Sequence, residues 1–239
     1  MSYQAPFVDA AQSIDPVNRI NTYVSYYPFG SVIGLALDLT LRSRFKNISL
    51  DDYMQAVWQK HGKPEIPYTL TDLQNVLATV TRDTQFAQDF FQQYILGKEA
   101  ADYKTLLAQA GFLLRPVNAG KASLGLTPIN FRNNAAVILT STMVGSPLYQ
   151  AGLNRDDVIQ TIDGKKITSR EDLNTALAAH KPGDQVKLTY TSQNNQSQEV
   201  TLTLIQDPEL EVVLFENAGL KVSKNAQAFR KNWLVSKVK

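Results

Sequence analysis

The sequence predicts an α+β protein: an all-α unit over residues 1–115, a β-barrel or sandwich unit over 116–207, and a strand-and-helix tail over 208–239. Two observations carry that prediction. Before residue 111, capping residues and apolar stripes of helical spacing mark five segments. From Lys121 to about Leu204 the pattern changes to short β runs separated by turns, with two helical patches. The length of 239 residues suits one large or two ordinary domains, and 44% hydrophobic content is ample for a core.

The first helix is expected from Pro28 to about Phe45. Proline suits the first helical position, and Val32, Ile33, Leu35, Leu37, Leu39 and Leu41 leave little polar face. Asp38 and Arg42 break that face and can pair at i,i+4. Ser49-Leu50-Asp51-Asp52 and Thr69-Leu70-Thr71-Asp72 have the form of capping boxes. The helix after Ser49 is expected to end near His61, with Gly62 left-handed at its C-terminus. Asp83 caps a helix carrying Phe86, Phe90, Phe91, Tyr94 and Ile95, and Asp102 caps one from Tyr103 to Ala110. Residues 1–24, with Pro6 and Pro16, read as polar and irregular.

In the β-rich half, Ser123–Leu126, Ala136–Leu139, Val158–Ile162, Val186–Tyr190 and Val200–Leu204 are strand candidates. Asp163-Gly164 is a hairpin signal. Pro147 opens a short helical turn, and Ser169 caps a helix from Arg170 to about His180. In the tail, Val212–Phe215 is a possible strand. Ser223 caps a last helix with Ala226, Phe229 and Trp233 on one face, amphipathic enough to dock on the first unit.

A net charge of +2 without a basic block argues against nucleic acid and anionic membrane as partners. The absence of cysteine excludes disulfides and thiolate metal sites. No apolar run reads as long enough to span a bilayer, and the N-terminus lacks the form of a signal peptide. The abrupt start ahead of Tyr26 suggests the back part of a longer protein.

Tyr26-Tyr27-x-x-Gly30 followed by Leu37-Asp38-Leu39-x-x-Arg42 resembles the segment after the zinc site in the glycyl-aminopeptidase family of thermolysin-like zinc peptidases. Ser49–Asp52 and Phe90-Phe91-x-x-Tyr94-x-x-Gly97 resemble the same family, so the likeness spans the first half. The resemblance implies that Tyr27 donates a hydrogen bond to the tetrahedral oxyanion, with Tyr26 as the secondary candidate. A fixed phenol aimed at developing charge favours the transition state over the ground state. Phe29 stands where the family has lysine, and two tyrosines that merely pack before a core helix remain the other reading.

Leu124-Gly125-Leu126, Ser146-Pro147-x-x-x-Ala151-Gly152-Leu153-x-x-x-Asp157-x-Ile159 and Ile162-Asp163-Gly164 resemble a PDZ domain of the bacterial protease-associated kind. That resemblance implies β-augmentation: a peptide C-terminus adds a strand beside Leu126, and its carboxylate meets N–H groups of the loop. Leu124, Gly125, Leu126, Leu173 and Leu177 are the candidate peptide-binding residues, although some of these leucines are also expected in the core. Pro128, two residues beyond Leu126, is expected to face outward and to remove one ladder donor from the groove edge, so that free C-terminal peptides bind poorly and the domain serves mainly as a scaffold or contacts its own parent chain.

A thermolysin-like peptidase needs His-Glu-x-x-His and a third carboxylate ligand. This chain has only His61 and His180, neither in that frame, and both read as structural. No metal ligand is assigned, and no cofactor is expected in this chain; the resemblance places zinc on a preceding part of a full-length parent. Two functional readings follow. One is the C-terminal part of a zinc-dependent aminopeptidase, inactive alone, with peptide or protein substrates and, by family resemblance, export to the periplasm or beyond. The other is a non-catalytic peptide-binding scaffold whose groove takes a peptide C-terminus or its own N-terminal domains.

Overall fold

The computed structural model describes residues 6–9, 18–22 and 25–235. The chain divides into two compact units. One contains residues 1–13, 24–114 and 212–239, and the other residues 14–23 and 115–211. Where the sequence suggests only irregular chain before Tyr26, there is a 3₁₀ turn at Phe7–Asp9 and a short helix α1 (Arg19–Thr22).

The helical unit is built on α2 (Tyr26–Arg44). It starts two residues before Pro28, which loses nothing there because the first-turn N–H groups have no intrahelical acceptor. Phe29, Ile33, Leu37 and Leu41 recur at every fourth residue and enter one core with Tyr53, Val76, Leu77, Phe86, Phe90 and Phe91. Asp38, about 100° round the helix from Leu37 of that ridge, is buried yet fully partnered. Arg42 Nε donates to both of its carboxylate oxygens at 2.9 Å, and Leu50 N–H donates to Oδ1 at 2.8 Å. The last bond fixes the start of α3 (Leu50–Val57) against α2. A carboxylate is tolerated in a protein interior when its oxygens are hydrogen-bonded in this way.

Then follow α4 (Leu70–Thr81), α5 (Thr84–Phe90) and α6 (Tyr103–Gln109). Their caps are those the sequence indicates. Thr69 and Asp72 form a reciprocal capping box, Asp83 Oδ1 accepts from Phe86 N–H, and Asp102 Oδ1 accepts from Thr105 N–H. Both α3 and α5 run on into π-helical turns, Trp58–Gly62 and Phe91–Ile95. Gly62 is therefore not the expected left-handed terminator; the positive φ falls at Glu65. At 62 glycine leaves room for the Trp58 ring: an added Cβ would lie 2.3 Å from it, so the ring would have to move.

The second unit is β-rich. Strand β1 (Phe112–Pro116) follows α6 and passes from the first unit into the second at residue 115; β2 (Ala122–Ser123), β3 (Ile129–Arg132) and β4 (Ala135–Ile138) come next. Helix α7 (Pro147–Gln150) precedes β5 (Val158–Ile162) and β6 (Lys165–Lys166), which meet at the Asp163-Gly164 turn. Helix α8 (Arg170–Ala178) leads to β7 (Gln185–Thr191), β8 (Ser197–Thr203) and β9 (Ile205–Gln206). The strands order as β3-β4-β5-β7-β8 with β6 on β5, and β2 pairs with β9. Alternation places Val186, Leu188 and Tyr190 inward, where they join Ile138, Leu148, Ile159, Ile162 and Leu204. Within this unit Asn21 is tied down on both sides: its amide donates to Thr142 C=O at 2.9 Å and its Oδ1 accepts from Val144 N–H at 2.8 Å.

After β9 the chain forms β10 (Leu210–Leu214), which pairs with β1, and α9 (Lys224–Leu234). In the helical unit Trp233 meets Phe112 edge to face at 6.0 Å, and Arg230 lies over the Phe112 ring at 5.6 Å while pairing with Glu216.

The segment Arg19–Arg44 is long and apolar enough to cross a membrane by length and composition, which the sequence reading did not recognise. Seven residues of α2 within it are buried, four of them in the helical core described above.

Candidate functional site

The β-rich unit carries a cleft of about 690 Å³ between the loop after β2, the outer edge of β3 and helix α8. Each wall follows from local sequence. Gly125 has φ +92°, a region disfavoured for side chains, and a Cβ there would come within 3.1 Å of Ser146 Cβ. The turn is held by Gly125 N–H, which donates to Ser123 Oγ at 3.1 Å. Helix α8 is fixed at its start by Asp172, whose Oδ2 accepts from Thr168 N–H, Thr168 Oγ1 and Ser169 N–H at 2.9, 2.6 and 2.9 Å. The Thr168 hydroxyl, then the backbone N–H groups and Ser169, pull the Asp172 pKa from 3.8 down to about 2.

All five sequence-indicated peptide-binding residues line this one cleft. Leu124 and Leu173 are buried and Leu177 packs against the same core, so these three serve the interior and the cleft floor together. Leu126 is 51% exposed at the mouth. Sequence reading missed Thr127, Ile129, Arg170, Asn174 and His180, which share the lining. Arg170 carried the clearest available signal: it follows the Ser169 cap, on the helix of Leu173 and Leu177.

The expected role of Pro128 is overturned. Its carbonyl accepts from Leu139 N–H at 3.0 Å, so its backbone faces β4, not the cleft. In an antiparallel ladder both polar groups of one residue point the same way. Ile129 therefore faces outward, and by the same alternation so does Thr127. The period-two count from Leu126 slips by one because the chain between the loop and β3 is not regular strand. Two features mark this edge. Ile129 C=O is taken by Arg170 Nη2 at 2.9 Å, and the buried Thr127 hydroxyl has no hydrogen-bond partner.

The tyrosine pair lies in the helical unit, in the first turn of α2. Tyr26 and Tyr27 are 43% and 72% exposed, their ring centroids 4.3 Å apart. They stack on each other rather than in the core. Among the described residues no group of three His, Cys, Asp or Glu is placed to hold a metal ion. His61 is buried in the helical unit with both ring nitrogens unpartnered, and lies edge-on to Tyr68. In the β-rich unit, His180 Nε2 lies 3.0 Å from Asp163 Oδ2.

Residues 122–204 match the PDZ domain family, and the β-rich unit is a PDZ domain following a helical part. Among solved structures, an aminopeptidase N family protein from Idiomarina loihiensis matches 90% of this chain at 21% identity with a TM-score of 0.69. The match takes in 37% of that protein, so the present chain spans little more than a third of its length. The HtrA-type protease AlgW with a decapeptide matches 38% of this chain and 30% of its own at 20% identity, TM-score 0.33. The PDZ domain of a carboxy-terminal protease from Vibrio cholerae, in complex with a peptide, matches 38% of this chain and 99% of its own at 18% identity, TM-score 0.31. No curated protein is a significant match to the sequence.

Proposed function

We propose that this chain is the PDZ-bearing part of an aminopeptidase-type protein, and that its own activity is to bind peptide C-termini in the cleft between β3 and α8. The observation that supports this most is the convergence on one cleft of a turn-forming Gly125, an outward-facing strand edge at Thr127 and Ile129, and an apolar floor of Leu124, Leu173 and Leu177. An added strand would take its backbone bonds from that edge, and its last side chain would enter the apolar floor. The experiment is a titration of the full chain with an octapeptide ending in free valine and with its C-terminal amide. Binding of the acid with loss of binding in the amide is expected; equal binding of both contradicts carboxylate recognition.

The likeness of fold over 90% of the chain to an aminopeptidase N family protein favours the peptidase setting. In that setting Tyr27 is the oxyanion donor of a longer zinc enzyme, and Tyr26 its lesser neighbour. The described residues of this chain do not fit a zinc site, because they bring no three ligands together. Hydrolysis is therefore assigned to the longer protein, whose remaining part would supply zinc ligands and base. In that protein Tyr27→Phe is expected to lower kcat by roughly 10²–10³ with little change in KM, and Tyr26→Phe to cost much less. The reverse order would move the assignment to Tyr26.

A further inference from the structure

Arg170 is the first residue of α8, and its guanidinium reaches across the peptide cleft to the opposite wall. Nη2 donates to Ile129 C=O at 2.9 Å, and Cζ lies over the Phe131 ring at 5.2 Å. Among the described residues Arg170 makes no ion pair, and the bond to Ile129 is its one hydrogen bond. Ile129 is the outward-facing residue at the start of β3, so its carbonyl is one that an added strand needs. The backbone parity set by Pro128 and Leu139 leaves Thr127 as the only outward residue between the loop and that carbonyl.

We propose that Arg170 is a strap across the peptide groove, which lets a chain end enter but must be displaced before strand pairing extends past Thr127. The inference rests on the peptide-binding reading above and adds a regulation to it. Arg170 is held at the crossing point by its helix. Thr168, Ser169 and Asp172 fix the first turn of α8, and stacking on Phe131 orients the planar fork. A peptide running beside β3 passes one outward residue for every two of its own. About two C-terminal residues therefore fit short of the strap, and longer peptides must break a charge-assisted bond to go further.

The test uses the full chain, wild type and Arg170→Ala, with two probes. One is a fluorescein-labelled octapeptide of uncharged side chains ending in free valine. The other is N-acetyl-alanyl-valine as its competitor. Removing the strap is expected to tighten the octapeptide by about tenfold, the scale of one hydrogen bond to a charged group. The acetyl-dipeptide should change by less than about twofold, because it does not reach the carbonyl. Arg170→Lys keeps a donor but loses the fork and the stacking, and should fall between the two; it carries the test if the alanine variant does not fold. Octapeptide binding that is unchanged or weaker in the variants, with wild type still binding, overturns the strap alone. Failure of every form to bind either probe overturns the strap together with the groove.

Discussion

At the scale of single residues, the cleft is set by a few atoms whose environments have measurable consequences. Thr127 buries a hydroxyl with no partner, and an unsatisfied buried group costs roughly 1–3 kcal/mol. Thr127→Val removes that group at nearly the same volume. It should stabilise the protein by up to about 1 kcal/mol in urea unfolding. Destabilisation would mean that the hydroxyl is partnered in the free protein. Gly125→Ala should do the opposite. It forces a side chain into φ +92° and to within 3.1 Å of Ser146 Cβ, and should cost more than about 1 kcal/mol and distort the loop. Pro128→Ala should leave peptide affinity unchanged, because the restored N–H faces β4. A gain in affinity on that substitution would return Pro128 to the groove edge, where the sequence alone had placed it.

At the scale of elements, the helix starts were legible because capping is local. Ser49, Thr69, Asp83, Asp102, Ser169 and Ser223 all stand at the N-caps of the helices they announce. The elements that escaped depend on distant partners. Strand β1 pairs with β10, almost a hundred residues on, and ends in proline. Strand β3 alternates as Ile129-Asn130-Phe131-Arg132, but it has only four residues and follows Thr127-Pro128, so the alternation is too short to stand out until β4 folds back on it. The place of Arg170 on α8 was legible, but its bond across the cleft was not, because the partner carbonyl belongs to β3. The start of α8 also has a pH signature. Asp172 ionises with a pKa of about 2 in the folded protein against an ordinary value of 3.8. A depressed carboxylate stabilises the fold above the ordinary pKa and loses that contribution as pH falls through the folded one. The difference in Tm between wild type and Asp172→Asn should be constant above about pH 5 and shrink towards zero near pH 2. A difference independent of pH would show that the cap does not depend on the charge of Asp172.

At the scale of the whole molecule, the α+β class and the PDZ domain were readable because both rest on patterns repeated along the chain. The peptidase setting rests on a few residues and on likeness of fold. In the helical unit the fully buried Leu41 is central to the core, and Leu41→Ala should cost about 2–5 kcal/mol. A cost well below that range would mean that the core can collapse around the missing side chain. The groove can be read amide by amide in the full chain, through backbone ¹H–¹⁵N shifts on titration with the octapeptide ending in free valine. The largest changes are expected at Gly125, Leu126, Thr127 and Ile129, with lesser ones at Leu173 and Leu177, and with the α2–α6 helices silent. No shift at those amides, or a set of shifts centred away from the loop and the outer edge of β3, would contradict peptide capture in this cleft.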